Sequence, residues 1–187
     1  IRRESSGELN SLDVRRTLDS IAAARKSADI VIAYLHNHYW EPDISVTPTW
    51  QRQLARDMID AGASVFVAHG TPLLQGMEMY SGAPLFHGLS SFFFQTRKSP
   101  EAYGQANWQS LIVDCKFVGG RFEEAALTPL RLQAVGDEGT ADLVTRGRPH
   151  LASGADRDRI VDNVVALSAA LNQPLRIREG VAILRAI

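Results

Sequence analysis

The chain has 187 residues, of which 45% are hydrophobic and 22% are charged, and its formal net charge is -1. This composition excludes a disordered chain, because so much apolar surface offsets the entropy lost on ordering. We expect no nucleic-acid partner, since the charge is balanced, and no membrane span, since no apolar run is long enough. The one cysteine, Cys115, excludes an intramolecular disulfide and fits a cytoplasmic location.

The first part of the chain alternates predicted helices and strands. A helix is expected over 11–25, with Ser11 as its N-cap, and a β-branched run over 29–35 predicts a strand buried on both faces. A second helix, opened by a proline and stopped by a glycine, is expected over 47–62. A second buried strand over 64–68 follows. This α-β-α-β order predicts parallel strands joined by helical crossovers.

The remainder of the chain changes to β-hairpins. Hairpins are predicted over 76–94 and 108–132, a helix over 156–171, and a closing hairpin around Glu179-Gly180. No stretch reads as a linker that would divide two domains. We therefore predict that residues 1–187 form a single α/β unit.

Three of the five histidines follow the ends of the two predicted parallel strands. His36 and His38 come after the first strand and His69 after the second. Ligands of parallel sheets bind at the C-terminal ends of the strands. With Glu41 these imidazoles could form a metal site, or each could simply cap a strand. Trp40, beside the pair, could stack on a substrate ring.

Other reactive side chains are expected to be structural. Glu78 alternates with two methionines and is predicted to face solvent. Cys115 is interpreted as a small buried hydrophobe rather than a nucleophile. Ser90-Ser91 lacks the Gly-x-Ser-x-Gly turn that would expose a catalytic serine, and no phosphate-cradling loop is present. The histidines are therefore the best candidates for chemistry.

Four segments match motifs of a known family in the family's own order. They are 31–36 (VIAYLH), 61–70 (AGASVFVAHG), 75–86 (QGMEMYSGAPLF) and 89–94 (LSSFFF). They resemble the CapA proteins of poly-γ-glutamate capsule synthesis, and the resemblance covers about 29–187. It implies a calcineurin-like metallophosphatase fold, of which this chain would be the C-terminal part of a four-layer α/β/β/α sandwich.

The resemblance also implies an N-terminal half that is absent from this chain. That half would carry the family's first Asp-containing motifs and would be a packing partner of the residues present. The chain opens at Ile1 with no methionine, which is what such a fragment would show.

Three departures from the family pattern bear on the chemistry. Pro72 stands where the family's GHGPH motif has its last metal histidine, and Ser90-Ser91 stands where its LGNF motif has Gly-Asn. The first motif, usually His-Trp-Gly, reads His-Asn-His over 36–38. Loss of ligands within a retained fold implies that the metal chemistry has been lost or rebuilt.

The resemblance then implies a metal-independent peptide epimerase, because a branch of CapA-like proteins epimerises precursor peptides in lasso-peptide (RiPP) biosynthesis without metal or organic cofactor. His69 would be one of two acid–base groups at the peptide α-carbon, and its partner would be a carboxylate of the absent half. His36 and His38 would polarise the peptide carbonyl. The expected substrate-binding residues are Trp40, Glu41 and Ser91.

Two alternatives remain open. A CapA-type phosphoesterase or capsule-polymer enzyme would bind Mn²⁺ or Zn²⁺ through His36, His38 and His69 together with N-terminal carboxylates. Near-stoichiometric bound metal in the full-length protein would favour it. A non-catalytic scaffold would bind a peptide or polymer, and activity that survives replacement of all three histidines would favour that interpretation.

Overall fold

The computed structural model describes residues 9–186. These residues contain three α-helices and nine β-strands, and the strands form two sheets. The helices are α1 (Ser11–Arg25), α2 (Thr49–Asp60) and α3 (Gly154–Ala169). The strands are β1 (Ile32–His36), β2 (Val65–His69), β3 (Met77–Tyr80), β4 (Ala83–Phe86), β5 (Gln109–Val118), β6 (Arg121–Leu132), β7 (Pro149–Leu151), β8 (Arg176–Arg178) and β9 (Val181–Arg185). The start of the chain at Ile1 lies outside the described residues.

The first sheet has the strand order β1-β2-β4-β3. Its β1–β2 and β2–β4 pairs are parallel, and β3 and β4 form an antiparallel hairpin. The parallel pairing confirms what the alternation of helices and strands predicted, since α2 makes the crossover from β1 to β2. The β1–β2 register places His36 directly beside His69. The two strands therefore deliver their histidines to the same edge of the sheet.

The two faces of the first sheet are covered differently. Leu54 and Met58, one turn apart on α2, are each 2% exposed and belong to one apolar cluster with Phe66 of β2. On the opposite face Phe86 of β4 belongs to a cluster with Leu127 of β6, in the second sheet. Helices, a mixed sheet and an antiparallel sheet thus pack in layers, and the predicted α/β class is confirmed.

The second sheet has the order β5-β6-β9-β8, with β7 paired to β6, and all its pairs are antiparallel. The hairpins predicted at Gly119-Gly120 and Glu179-Gly180 are present. Helix α3 packs against this sheet through Ile160 and Val164. No helix within residues 9–186 is long and apolar enough to cross a bilayer.

Strand β1 is not buried on both faces, contrary to prediction. Ile32 is 66% exposed and Tyr34 is 58% exposed, whereas Ala33 between them is 4% exposed. The reason is position, because β1 is the terminal strand of its sheet and the second sheet does not extend over it. A β-branched run here marks a strand with one open apolar face.

Two predicted ends of elements were also wrong. The N-cap of α1 is Asn10, whose Oδ1 accepts a hydrogen bond of 2.9 Å from the Asp13 amide, and not Ser11. Strand β4 ends at Phe86 rather than continuing to Phe94. The chain after β4 leaves the sheet as irregular structure.

Candidate functional site

The three predicted histidines lie together at the C-terminal edge of β1 and β2. His36 and His69 are the last residues of the two strands and are paired in register. His38 turns back over the edge, so that its Nε2 lies 2.8 Å from Nε2 of His36. His69 is half-buried, and its Nδ1 lies 3.3 Å from the carbonyl oxygen of Ser90. With a proton on Nδ1, His69 donates to that carbonyl and keeps a lone pair on Nε2.

Two aromatic side chains flank the histidines. The Tyr34 hydroxyl lies 3.2 Å from Nδ1 of His36, and its ring centroid is 5.7 Å from that of His69. The centroid of the Trp40 ring lies 5.9 Å from that of the His38 ring. Tyr34 was not among the predicted residues. Its two-residue spacing from His36 on a strand, which places both on one face, was the available signal.

The other two predicted substrate-binding residues lie further from the imidazoles. Within residues 9–186, no hydrogen bond or ion pair joins Glu41 to the histidines, and Glu41 is exposed. Ser91 is partly buried, but its neighbour Ser90 makes the contact to His69. Ser90 is 2% exposed, has a φ of 62°, and donates from its Oγ to the Pro72 carbonyl at 3.0 Å. That left-handed conformation suits glycine, which the resemblance implies at this position.

A buried amide network holds the histidine loop from below. Asn37 donates from Nδ2 to Gln51 Oε1 at 2.9 Å and to the Tyr39 carbonyl at 2.8 Å. Gln51 in turn donates to the His87 carbonyl at 2.7 Å. Gly70 packs so closely that a Cβ at its position would lie 2.3 Å from the Asn37 carbonyl oxygen. These interior contacts, which the sequence pattern did not indicate, fix the path of the loop.

Glu78 is buried, so the prediction that it faces solvent was wrong. It is 4% exposed because α2 covers it and supplies two guanidinium groups. Arg52 donates to its two oxygens at 3.0 and 2.7 Å, Arg56 donates at 3.0 Å, and His87 Nε2 lies 3.0 Å from Oε1. This cluster ties α2 to the β3–β4 hairpin beneath the histidine edge.

Burial and hydrogen bonding have opposite effects on this cluster. Burial alone would raise the pKa of Glu78, but hydrogen bonds from His87 and Arg52 outweigh it and hold that pKa well below its usual range. Burial lowers the pKa of His87 despite the carboxylate beside it. Near neutral pH Glu78 is therefore ionised, and His87 is neutral with its proton on Nε2. The Nδ1 atom of His87 is buried and has no hydrogen-bond partner among the described residues.

Cys115 lies partly buried in β5 and is not part of the histidine edge. Burial raises the pKa of its thiol to about 11. At neutral pH the group is protonated, and a protonated thiol is a poor nucleophile and a poor metal ligand. The interpretation of Cys115 as a structural residue agrees with this.

The donor arrangement at the edge fits a shared proton better than a metal ion. Two imidazoles on one tetrahedral zinc, with Zn–N bonds of about 2.0–2.1 Å, are held roughly 3.3 Å apart. The Nε2 atoms of His36 and His38 lie closer, at 2.8 Å. Within residues 9–186 no three His, Cys, Asp or Glu side chains are grouped to hold an ion. Pro72, at the position where the resemblance implies a histidine, supplies no ligand atom.

Comparison with known proteins shows the family of the chain. Residues 2–96 match the family described as "Bacterial capsule synthesis protein PGA_cap". The chain belongs to this family. The resemblance to CapA proteins is thereby confirmed, and the two-sheet α/β architecture agrees with the family's metallophosphatase-like fold.

Individual relatives cover the chain to different extents. The chain is 26% identical to the uncharacterized proteins y4sH and y4uA of Sinorhizobium fredii over 94% of its length, which is 45% of theirs. It is 41% identical over 75 residues to the PGA biosynthesis protein CapA of Bacillus subtilis, covering 40% of the chain and 19% of that protein. The capsule biosynthesis protein CapA of Bacillus anthracis is 33% identical over 69 residues, 36% of the chain and 16% of that protein. The chain thus spans less than half the length of the curated relatives it matches.

Proposed function

We propose that the histidine edge transfers protons at a peptide α-carbon, so that the protein containing this chain is a metal-independent peptide epimerase. The observation that carries the proposal is the placement of three histidines at one edge of the sheet, with the Nε2 atoms of His36 and His38 2.8 Å apart. A neutral imidazole, whose ordinary pKa is about 6.5, suits acid–base chemistry near neutral pH. The substrate is a cytoplasmic precursor peptide, of the lasso type that the resemblance implies.

Epimerisation needs one group to remove the α-proton and another to return a proton to the opposite face. His69 is the base, because its Nδ1 is engaged by the Ser90 carbonyl and its Nε2 lone pair is available. The α-carbon–hydrogen bond breaks, its electrons move onto the adjacent carbonyl, and an enolate-like intermediate forms. His38 donates towards that oxygen, and His36 holds His38 in place through the 2.8 Å contact between their Nε2 atoms. A carboxylate outside the described residues returns the second proton.

We also propose that the missing part of the protein covers the open side of both sheets. Strands β1 and β5 are terminal strands, each paired on one side only within residues 9–186. On β5, Ile112 is 43% exposed and Val118 is 52% exposed, and on β1 Ile32 and Tyr34 are also exposed. Exposed apolar edge strands are normally covered by another element. The Sinorhizobium fredii relatives, of which this chain covers 45%, have length enough to supply one.

The test is deuterium incorporation by the full-length protein in D₂O. The probe is a pool of synthetic all-L peptides that between them place every amino acid at an internal and a terminal position. We expect one peptide to gain one dalton, and His69→Ala to slow the gain by about 100-fold or more. His150→Ala is the control, because His150 is exposed on β7 and its side chain forms a hydrogen bond of 3.1 Å with Gln133, in the second sheet. A His69→Ala protein that exchanged at the wild-type rate would overturn the proposal.

The second candidate is a metal-dependent capsule enzyme. It is favoured by the 41% identity over 75 residues to the PGA biosynthesis protein CapA of Bacillus subtilis. Mn²⁺-dependent phosphate release from p-nitrophenyl phosphate by the full-length protein, abolished in His36→Ala and His69→Ala, would support it. Near-stoichiometric metal that survives dialysis would point the same way.

A further inference from the structure

We propose that Tyr34 is a positioning residue that decides which nitrogens of His36 and His38 carry protons, and thereby makes Nδ1 of His38 a proton donor. The use of that donor rests on the acid–base function proposed above. The placement of the protons rests on the geometry of the three side chains. Two consecutive hydrogen bonds join Tyr34 to His36 and His36 to His38.

The first link joins the tyrosine to the first histidine. Tyr34 and His36 lie on one face of β1, and the Tyr34 hydroxyl is 3.2 Å from His36 Nδ1. A tyrosine hydroxyl is a stronger hydrogen-bond donor than an imidazole N–H, and an unprotonated imidazole nitrogen is a stronger acceptor than a phenol oxygen. The hydroxyl therefore donates and Nδ1 accepts. Because a neutral imidazole has one N–H, the proton of His36 resides on Nε2.

The second link carries this choice to His38. The two Nε2 atoms are 2.8 Å apart, so one must donate and the other must accept. His36 already has its proton on Nε2 and donates it. Nε2 of His38 is therefore the acceptor, and the proton of His38 resides on Nδ1, the last nitrogen in this series of hydrogen bonds.

Without the hydroxyl, the hydrogen bond between His36 and His38 can be donated by either residue. His36 can then hold its proton on Nδ1 and accept at Nε2 from His38, whose Nδ1 would become a base instead of a donor. One hydroxyl group thus determines whether the loop presents a donor or an acceptor. In the proposed reaction a donor is required, since His38 faces developing negative charge on a carbonyl while His69 removes the proton.

The variant that isolates this role is Tyr34→Phe. It removes the hydroxyl and keeps the ring that lies 5.7 Å from His69. Tyr34 is 58% exposed, so the loss of its hydroxyl leaves no buried group unpaired. The matched control is Tyr80→Phe, because the Tyr80 hydroxyl donates to Asp60 at 3.0 Å and touches no histidine.

The measurement is long-range ¹H–¹⁵N NMR of the full-length protein with ¹⁵N-labelled histidine, treated with a chelator. At about pH 8, above the ordinary histidine pKa of about 6.5, the spectrum separates protonated from unprotonated ring nitrogens. In the wild type and in Tyr80→Phe we expect the proton of His36 on Nε2 and that of His38 on Nδ1. In Tyr34→Phe we expect the ratio of the two forms to change several-fold for both residues.

Two results would overturn the positioning role. One is a wild-type spectrum with the proton of His38 on Nε2, and the other is a Tyr34→Phe spectrum identical to wild type at both histidines. Neither requires a substrate. If no peptide gained deuterium but the Tyr34→Phe spectrum differed from wild type, the epimerase would be rejected and the positioning role of Tyr34 supported. Successful deuteration with a Tyr34→Phe spectrum identical to wild type would support the epimerase and reject the positioning role of Tyr34.

Discussion

At the scale of single residues, Glu78 has the largest expected effect on stability. Glu78→Gln removes the anion shared by Arg52 and Arg56. We expect the free energy of unfolding to fall by about 3 kcal/mol, because two partly buried cations lose their partner. The control is Glu123→Gln, because the ion pair of Glu123 with Lys116 is exposed to solvent and contributes little to stability. Urea denaturation that gave equal losses for both variants would contradict the role assigned to Glu78.

The same cluster makes stability depend on pH. The folded-state pKa of His87 lies below 6.5 and that of Glu78 below 4.5, their ordinary values. Both groups therefore bind protons more readily in the unfolded chain, and stability is lost as pH falls. The free energy of unfolding should decline from about pH 6.5 through His87, and further below about pH 4.5 through Glu78. A His87→Gln variant should lack the first decline; a wild-type stability that rose between pH 6.5 and 5 would rule this out.

Sequence reasoning placed the histidines correctly at one sheet edge but missed their surroundings. The shared edge was predictable, because parallel pairing brings the C-terminal ends of neighbouring strands together. The roles of Asn37, Gln51 and Glu78 depend on contacts between α2 and distant strands, which leave no local periodicity. An acidic residue between two methionines looks exposed until the arginines that cover it are placed in space.

At the scale of elements, the loop after β2 and the loop after β1 support each other through Gly70. A methyl group there would lie 2.3 Å from the Asn37 carbonyl oxygen, and φ is 106°. We expect Gly70→Ala to cost about 3 kcal/mol and to displace the imidazole signals of His36 and His38. Gly82→Ala is the control, since φ is 78° there but nothing lies within 4 Å. Equal thermal shifts for the two variants would show that the loops are not coupled.

The hairpins were predictable because their signals are local. Gly119-Gly120 and Glu179-Gly180 both adopt the positive φ that tight turns need, and both turns form. The exposure of β1 was not predictable, because one β-branched run serves both a central strand and an edge strand. Only the strand order distinguishes the two cases.

At the scale of the whole molecule, the two ends of the first sheet differ. The β3 edge is closed, because the Met77 amide donates to Ser168 Oγ and the Met79 amide to Gln173 Oε1, both at 3.1 Å. At the other end, β1 pairs only with β2 among the strands described within residues 9–186. We expect hydrogen exchange at β1 to be markedly slower in the full-length protein than in this chain alone, while β3 exchanges alike in both. Equal exchange at β1 in the two proteins would mean that no missing segment covers this edge.

We propose that this member of a capsule synthesis family moves protons at a peptide α-carbon without a metal ion. The most direct measurement is mass spectrometry of the peptide pool in D₂O with full-length protein dialysed against a chelator, with metal content determined on the same sample. We expect a one-dalton gain in one peptide at the rate seen before dialysis. A gain that disappeared with the metal and returned on adding Mn²⁺ or Zn²⁺ would contradict it.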